Sequence, residues 1–185
     1  MASGNVSKVL RAPGRLVVNP INLSSDFPYG GVEVGKTRLV VLTAFNTAVQ
    51  IECEGLGNEP SDILERTTRY VMTCFVRAWD NDAVKQFFAS NFERGDVTGH
   101  AILREPGNRQ AGSSALSRAK TIMYVPDDPF SNPAVLIYKG IADWSENAEL
   151  AFQRQEELGL PIAIECVRDD AGQILDIGRI ADLSL

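Results

Sequence analysis

The sequence predicts a mainly β (α+β) fold: two antiparallel sheets packed into a sandwich or barrel-like body, one flanking helix near residues 81–92, and extended arm and loops. Three observations lead there. About eight segments are short, β-branched and apolar, or alternate with a period of two. Only one stretch carries a firm helical apolar face. Strands and helices do not alternate regularly, which excludes most parallel α/β folds. The 185 residues fit a single domain, 16–185, behind an N-terminal arm, 1–15.

The arm holds Lys8, Arg11 and Arg15 with no acid, and Pro13 and Gly14 break it. An extended segment fits this better than a helix, with a short targeting peptide as the alternative. RLVV (15–18) is a strand. NPINLSSDFPYGG (19–31) is turn chemistry, rich in Asn, Pro, Ser and Gly. RLVVLTAF (38–45) is β-branched and apolar, and AVQIECEG (48–55) alternates Val49, Ile51 and Cys53 against Gln50, Glu52 and Glu54, so both are strands. GLGNEPSD (55–62) is a loop. ILERTTRYVMTCFVRAW (63–79) has strand composition but is too long for one flat strand, so two strands or one bent strand end at Trp79.

Asp80 or Asn81 then caps the helix, with Asp82 in its first turn. Val84, Phe87, Phe88 and Phe92 fall on one face, and Gly95 lies past the end. A face this aromatic predicts a helix packed onto the sheet. REPGNRQAGSSALSRAK (104–120) is a polar loop with Arg104, Arg109, Arg118 and Lys120 against Glu105 alone. TIMYV (121–125) and AVLIYKGIADW (134–144) are strands joined by the proline-rich turn PDDPFSNP. SENAELAFQRQEELG (145–159) has helical propensity with Ser145 as cap and Gly159 as stop, yet its first half alternates. LPIAIECV (160–167) and ILDIGRI (174–180) are strands separated by the tight turn RDDAGQ.

A hydrophobic content of 44%, 23% charged residues and a net charge of −6 describe an ordinary globular chain whose balance opposes tight binding to DNA or RNA. No apolar run approaches the ~20 residues of a membrane span, and the N-terminus lacks an apolar signal region, so neither a membrane nor secretion is expected. Cys53, Cys74 and Cys166 are widely spaced and His100 is the only histidine, which leaves no zinc ligand set. Buried reduced thiols are expected. Asp127–Asp128 and Asp169–Asp170 are acidic pairs in turns without calcium-loop spacing, better read as solvated turn carboxylates.

Gly30–Thr37 (GGVEVGKT) satisfies G-x-x-x-x-G-K-[ST], the phosphate-binding P-loop pattern. That chemistry needs a strand before the loop and a helix starting at the Lys-Ser/Thr end, whose amides face the phosphates. Here turn residues precede it, a strand follows, and Glu33 sets a carboxylate inside the loop. The expected structure is a Gly-Gly turn running into a strand, with no cofactor bound. A nucleotide-binding enzyme remains the remote alternative. No nucleophile–base or paired-carboxylate arrangement emerges, so no catalytic site and no enzyme activity are expected.

The order of GRLVVNPINLS, VQIECEG, FVRAWDNDAVKQFF, PAVLIYKGIADWSENAEL, LPIAIECV and DDAGQILDIG resembles the tail tube proteins of long-tailed bacteriophages over roughly residues 14–180. The resemblance implies a virion structural protein: a sandwich fold with a flanking helix, hexameric rings stacked into a tail tube, assembly in the host cytoplasm with other phage tail proteins, and DNA that passes during ejection without being held. It makes 147–153 a strand. Glu149, Gln153, Gln155 and Glu157 then form one polar face, proposed for the channel wall. Lys8, Arg11, Arg15, Arg104, Arg109, Arg118 and Lys120 are candidate inter-subunit contacts. A tail terminator, head–tail joining or capsid decoration protein is the alternative.

Overall fold

The computed structural model describes residues 13–52, 60–79, 81–88, 93–97, 100–104, 114–144 and 159–185. Its strands are β1 (Gly14–Val18), β2 (Val32–Glu52), β3 (Pro60–Trp79), β4 (Glu93–Val97), β5 (His100–Arg104), β6 (Lys120–Pro126), β7 (Ala134–Trp144), β8 (Leu160–Val167) and β9 (Leu175–Gly178). One α-helix, α1 (Asn81–Phe88), follows β3, and two short 3-10 turns, Ala115–Arg118 and Ile180–Asp182, complete the described elements.

The main sheet runs β6-β1-β2-β3-β8-β7-β9, and β6 also pairs with β7. That last pairing closes six strands into an antiparallel barrel and leaves β9 as an extra strand on β7. The expected two sheets are thus opposite walls of one closed sheet, because Ile122–Tyr124 and Val135–Ile137 join edges that a sandwich leaves open. A separate two-stranded sheet, β4–β5, stands apart. The mainly β, antiparallel character is as the sequence predicts.

Alternation fills the barrel. Leu16 and Val18 of β1, Met72, Cys74 and Val76 of β3, Ile122 and Tyr124 of β6, Val135 and Ile137 of β7, and Leu160, Ile162 and Ile164 of β8 form one buried cluster. Val84 and Phe87 of α1 join that cluster. The flanking helix is therefore a plug on the interior. It begins at Asn81, so the cap position falls on Asp80, outside the described residues. Phe92 also lies outside them.

A second cluster covers the outer face of β1, β6 and β7. Val17, Met123, Val125 and Leu136 point away from the barrel and are buried under Leu23, Phe27 and Tyr29 of the 19–31 loop and under Ile180 and Leu183 of the C-terminal segment. Tyr138 Oη fixes that segment, donating to Asp176 Oδ2 at 2.6 Å beside Ser184 O at 3.3 Å. Buried on both faces, these strands lose the period-two signature and become continuous apolar runs. Gly140 marks the point where β7 pairs with Lys120 of β6 on one side and Cys166 of β8 on the other. A Cβ there would stand 2.7 Å from Ile122 Cδ1, so a side chain would displace core isoleucine.

β8 and β9 lie on the same edge of β7 and run in the same direction: Val167 pairs with Lys139, and Leu175 with Ile137. RDDAGQ is a closed excursion from one continuous track. Asp169 N–H donates to Gln173 O at 2.7 Å, Gln173 N–H donates to Asp169 Oδ1 at 2.6 Å, and Lys139 Nζ pins Asp170 at 2.7 Å.

β2 and β3 far outrun their neighbours. They have 21 and 20 residues, whereas β1 stops pairing with β2 at Thr37 and β8 stops pairing with β3 at Tyr70. From Phe45↔Arg69 out to Glu52↔Pro60 the two strands pair only with each other among the described residues. This ribbon extends roughly 25 Å beyond the barrel. Register shifts, including one between Arg38 and Val41, interrupt the ladder. Such bulges bend and twist a strand, which lets one strand serve barrel and arm together.

Candidate interaction surface

Among the described residues, the outer face of β2, β3, β8 and the second half of β7 lacks the cover that β1 and β6 have. Where interior side chains alternate inward, their neighbours face out: Val71, Thr73 and Phe75 on β3, Ala163 and Glu165 on β8, Ile141 and Asp143 on β7. Phe45, Leu39 and Phe75 are 52%, 50% and 44% exposed. Leu39 sits in the β2 bulge with φ of 58°, a left-handed backbone that leucine adopts at a cost of roughly 1–2 kcal/mol.

Part of this face is a groove of about 460 Å³, lined by Phe45, Arg69, Val71, Thr73, Ala115, Arg118, Ile141, Asp143, Ala163 and Glu165. The floor is small and apolar. Its walls are the 3-10 turn Ala115–Arg118 and the root of the arm. Arg69 Nε donates to Glu165 Oε1 at 2.9 Å, and its guanidinium lies 6.0 Å from the Phe45 ring centroid. An exposed pair of this kind contributes little to stability but fixes the arginine's direction. The arrangement suits an apolar side chain held between charged walls.

The predicted contact residues disperse. Arg15 lies in β1, its guanidinium 5.0 Å from the Phe27 ring and 3.6 Å from Glu33, so it ties the 19–31 loop to the barrel. Arg118 lines the groove, and Lys120 opens β6 beside it. Arg104 ends β5, where the sequence suggests loop. Lys8, Arg11 and Arg109, and the channel candidates Glu149, Gln153, Gln155 and Glu157, lie outside the described residues. The groove floor escapes sequence reasoning because its members are ordinary strand positions far apart in the chain; only the alternation of β3 and β8 marks them as outward-facing.

Gly30–Thr37 divides into a turn and a strand. Tyr29 and Gly30 have φ of 60° and 74°, and Gly31 N–H donates to Pro28 O at 3.0 Å. A Cβ on Gly31 would meet Val18 O at 2.6 Å, so close backbone approach explains this glycine. Val32 onward is β2; Gly35, Lys36 and Thr37 are paired with β1 on one side and β3 on the other. Thr37, the residue that would hold a metal ion in a P-loop, is 3% exposed, and its Oγ1 has no hydrogen-bond partner among the described residues. Burying an unpaired hydroxyl costs about 1–3 kcal/mol. Thr37→Val is therefore expected to raise stability by about 1 kcal/mol in urea unfolding, and ATP or GTP titration to give no binding that Lys36→Ala removes.

The turn carboxylates have structural employment. Asp128 Oδ1 accepts from the amides of Phe130 and Ser131 at 3.2 and 3.3 Å. Hydrogen bonds from the Ser131 side chain and these amides hold its carboxyl below the ordinary range. Among the described residues no group of three His, Cys, Asp or Glu side chains is placed to hold a metal ion. Among them, too, no helix is long and apolar enough to cross a membrane.

These features define a small closed β-barrel with a projecting two-stranded arm and, among the described residues, an outer face that nothing covers. No protein-family model matches the chain, and comparison with curated proteins gives no match.

Proposed function

We propose that this protein is a structural subunit that assembles with copies of itself into stacked rings of a virion tail tube, hexameric by the resemblance of its sequence order. The arm carries this reading. Among the described residues, two strands leave the barrel with outer edges that nothing pairs from Phe45↔Arg69 to Glu52↔Pro60. Unpaired edges invite strand pairing unless something occupies them. A neighbouring copy supplies that cover, and the exposed Leu39, Val41, Phe45 and Phe75 at the root of the arm supply apolar area to bury with it.

The net charge of −6 fits a conduit that releases its cargo, since an acidic lumen repels the phosphate backbone. The lumen wall itself is assigned from sequence alone, to Glu149, Gln153, Gln155 and Glu157. Negative-stain microscopy of the purified protein tests the proposal, and long hollow tubes are the expected result. Single rings favour a terminator or joining role, and particles that stay monomeric at all concentrations reject assembly altogether.

A further inference from the structure

The C-terminal segment hides more of the barrel than it hides of itself. Val17, Met123, Ala134 and Leu136 beneath it are fully buried, whereas Ile180 and Leu183, which help to cover them, are only partly buried. No residue from Val167 to Leu185 is fully buried. β9 pairs with β7 over Ala134–Ile137 alone and, among the described residues, ends the sheet. β8 differs on every count. It pairs with β3 on one side and β7 on the other, and it buries Leu160, Ile162, Ile164 and Cys166. Segments with few buried apolar contacts open ahead of the fold as a whole.

The segment nevertheless has a shape of its own. Asp182 N–H donates to Arg179 O at 2.8 Å, Leu183 N–H donates to Ile180 O at 3.3 Å, and Arg179 Nε donates to Asp182 Oδ2 at 2.8 Å. Upstream, the RDDAGQ turn closes on itself and is tied to Lys139, so its bonds survive when β9 leaves β7. Tyr138 links both ends of the segment to the barrel. Its hydroxyl donates to Asp176 Oδ2 at 2.6 Å and lies 3.3 Å from Ser184 O. A hydroxyl donating to a carboxylate makes a stronger bond than a neutral pair.

We infer that residues 174–185 form a latched strap that opens and closes as one unit over a folded barrel, with Tyr138 as the positioning residue that sets how often it opens. Opening bares the β7 edge along Ala134–Ile137 together with Met123 and Leu136. An uncovered edge beside apolar surface is a template for pairing with other chains, so the closed strap guards it. This opening needs no second copy and is independent of the self-assembly reading.

Native-state hydrogen exchange of the full chain, read by mass spectrometry, tests the strap. In the wild type the amides of 175–183 are expected to exchange about 100-fold faster than those of β8. Tyr138→Phe keeps the ring and removes the hydroxyl. It is expected to speed exchange in 175–183 about tenfold and to leave β8 unchanged. Asp176→Ala is expected to act alike, and the double variant to exchange no faster than either single one, because both remove the same bond. Equal exchange of the strap and β8 in the wild type overturns the proposal without recourse to any variant. Strap exchange that Tyr138→Phe leaves unaltered, or a rise that β8 shares equally, overturns it too.

Discussion

Phe87→Ala is expected to lower stability by about 3–5 kcal/mol, the range for deleting a fully buried phenylalanine. Phe87 and Val84 are each 1% exposed and share the interior cluster with Leu16, Val40, Met72 and Tyr124. The helix that presents them has eight residues. A helix of that length falls short of the ~12–15 residues an isolated helix needs, so its order depends on this contact. Loss of the ring opens a cavity beside β2 and β7, against which α1 packs. For a chain of this size the change corresponds to a fall of roughly 10 °C in Tm. Gln86, on the exposed side of the same helix, is the control: Gln86→Ala is expected to change stability by no more than about 0.5 kcal/mol. Urea unfolding of both variants reads the difference. Equal effects would mean that α1 does not close the barrel.

The helix was legible because its apolar residues repeat at 0, 3 and 4, a spacing that has one structural meaning. Strand positions were legible for the same reason wherever one face meets water: Met72, Cys74 and Val76 alternate with Thr73, Phe75 and Arg77. AVLIYKGIADW and LPIAIECV coincide with β7 and β8. Closure of the barrel was not legible. Whether TIMYV and AVLIY end two separate sheets or join them depends on which edges meet, and an apolar run buried on both faces carries no register signal. The β4–β5 hairpin was also missed. Val97 and His100 pair across a two-residue spacing that holds Thr98 and Gly99, but the aromatic helix before it drew the reading toward a stop at Gly95.

RDDAGQ shows a different limit. Turn chemistry announces that a chain bends, not where it goes afterwards. Asp169 and Gly172 close the loop locally, with Gly172 at φ of 88°, yet β9 resumes the track of β8 because β7 offers it the same edge. Likewise Gly30–Thr37 satisfies a nucleotide-binding pattern letter by letter. Its glycines serve a turn and a close approach to Val18, and its threonine turns inward to the core. The groove was invisible for a simpler reason: it is assembled from five segments, and nothing in Thr73 or Ala163 alone distinguishes a wall that is covered from one that is bare.

Alkaline conditions are expected to unfold the protein steeply above pH 9. Burial pushes the Cys74 thiol from its ordinary 9.0 to about 12 and, with the Glu165 carboxylate adding to it, does the same for Cys166. Both sulfurs lie in the interior cluster. A thiol with a raised pKa binds its proton more tightly in the fold than in the unfolded chain. Its contribution is therefore complete below about pH 9 and is lost as the pH climbs toward 12. Each such thiol removes about 1.4 kcal/mol per pH unit across that window. Tyr124, raised to about 12 by burial, by Asp127 and by Cys74, adds to the slope once the pH passes 10. Urea unfolding at pH 8, 9, 10 and 11 measures the slope directly. The double variant Cys74→Ala, Cys166→Ala begins from lower stability, since both side chains fill the core, but its stability is expected to fall less steeply from pH 9 to 10 than the wild type's, the remaining slope coming from Tyr124, Tyr138 and Tyr29, whose pKa values are also raised. A wild-type slope that matches the double variant's would mean that the thiols reach water in the native state.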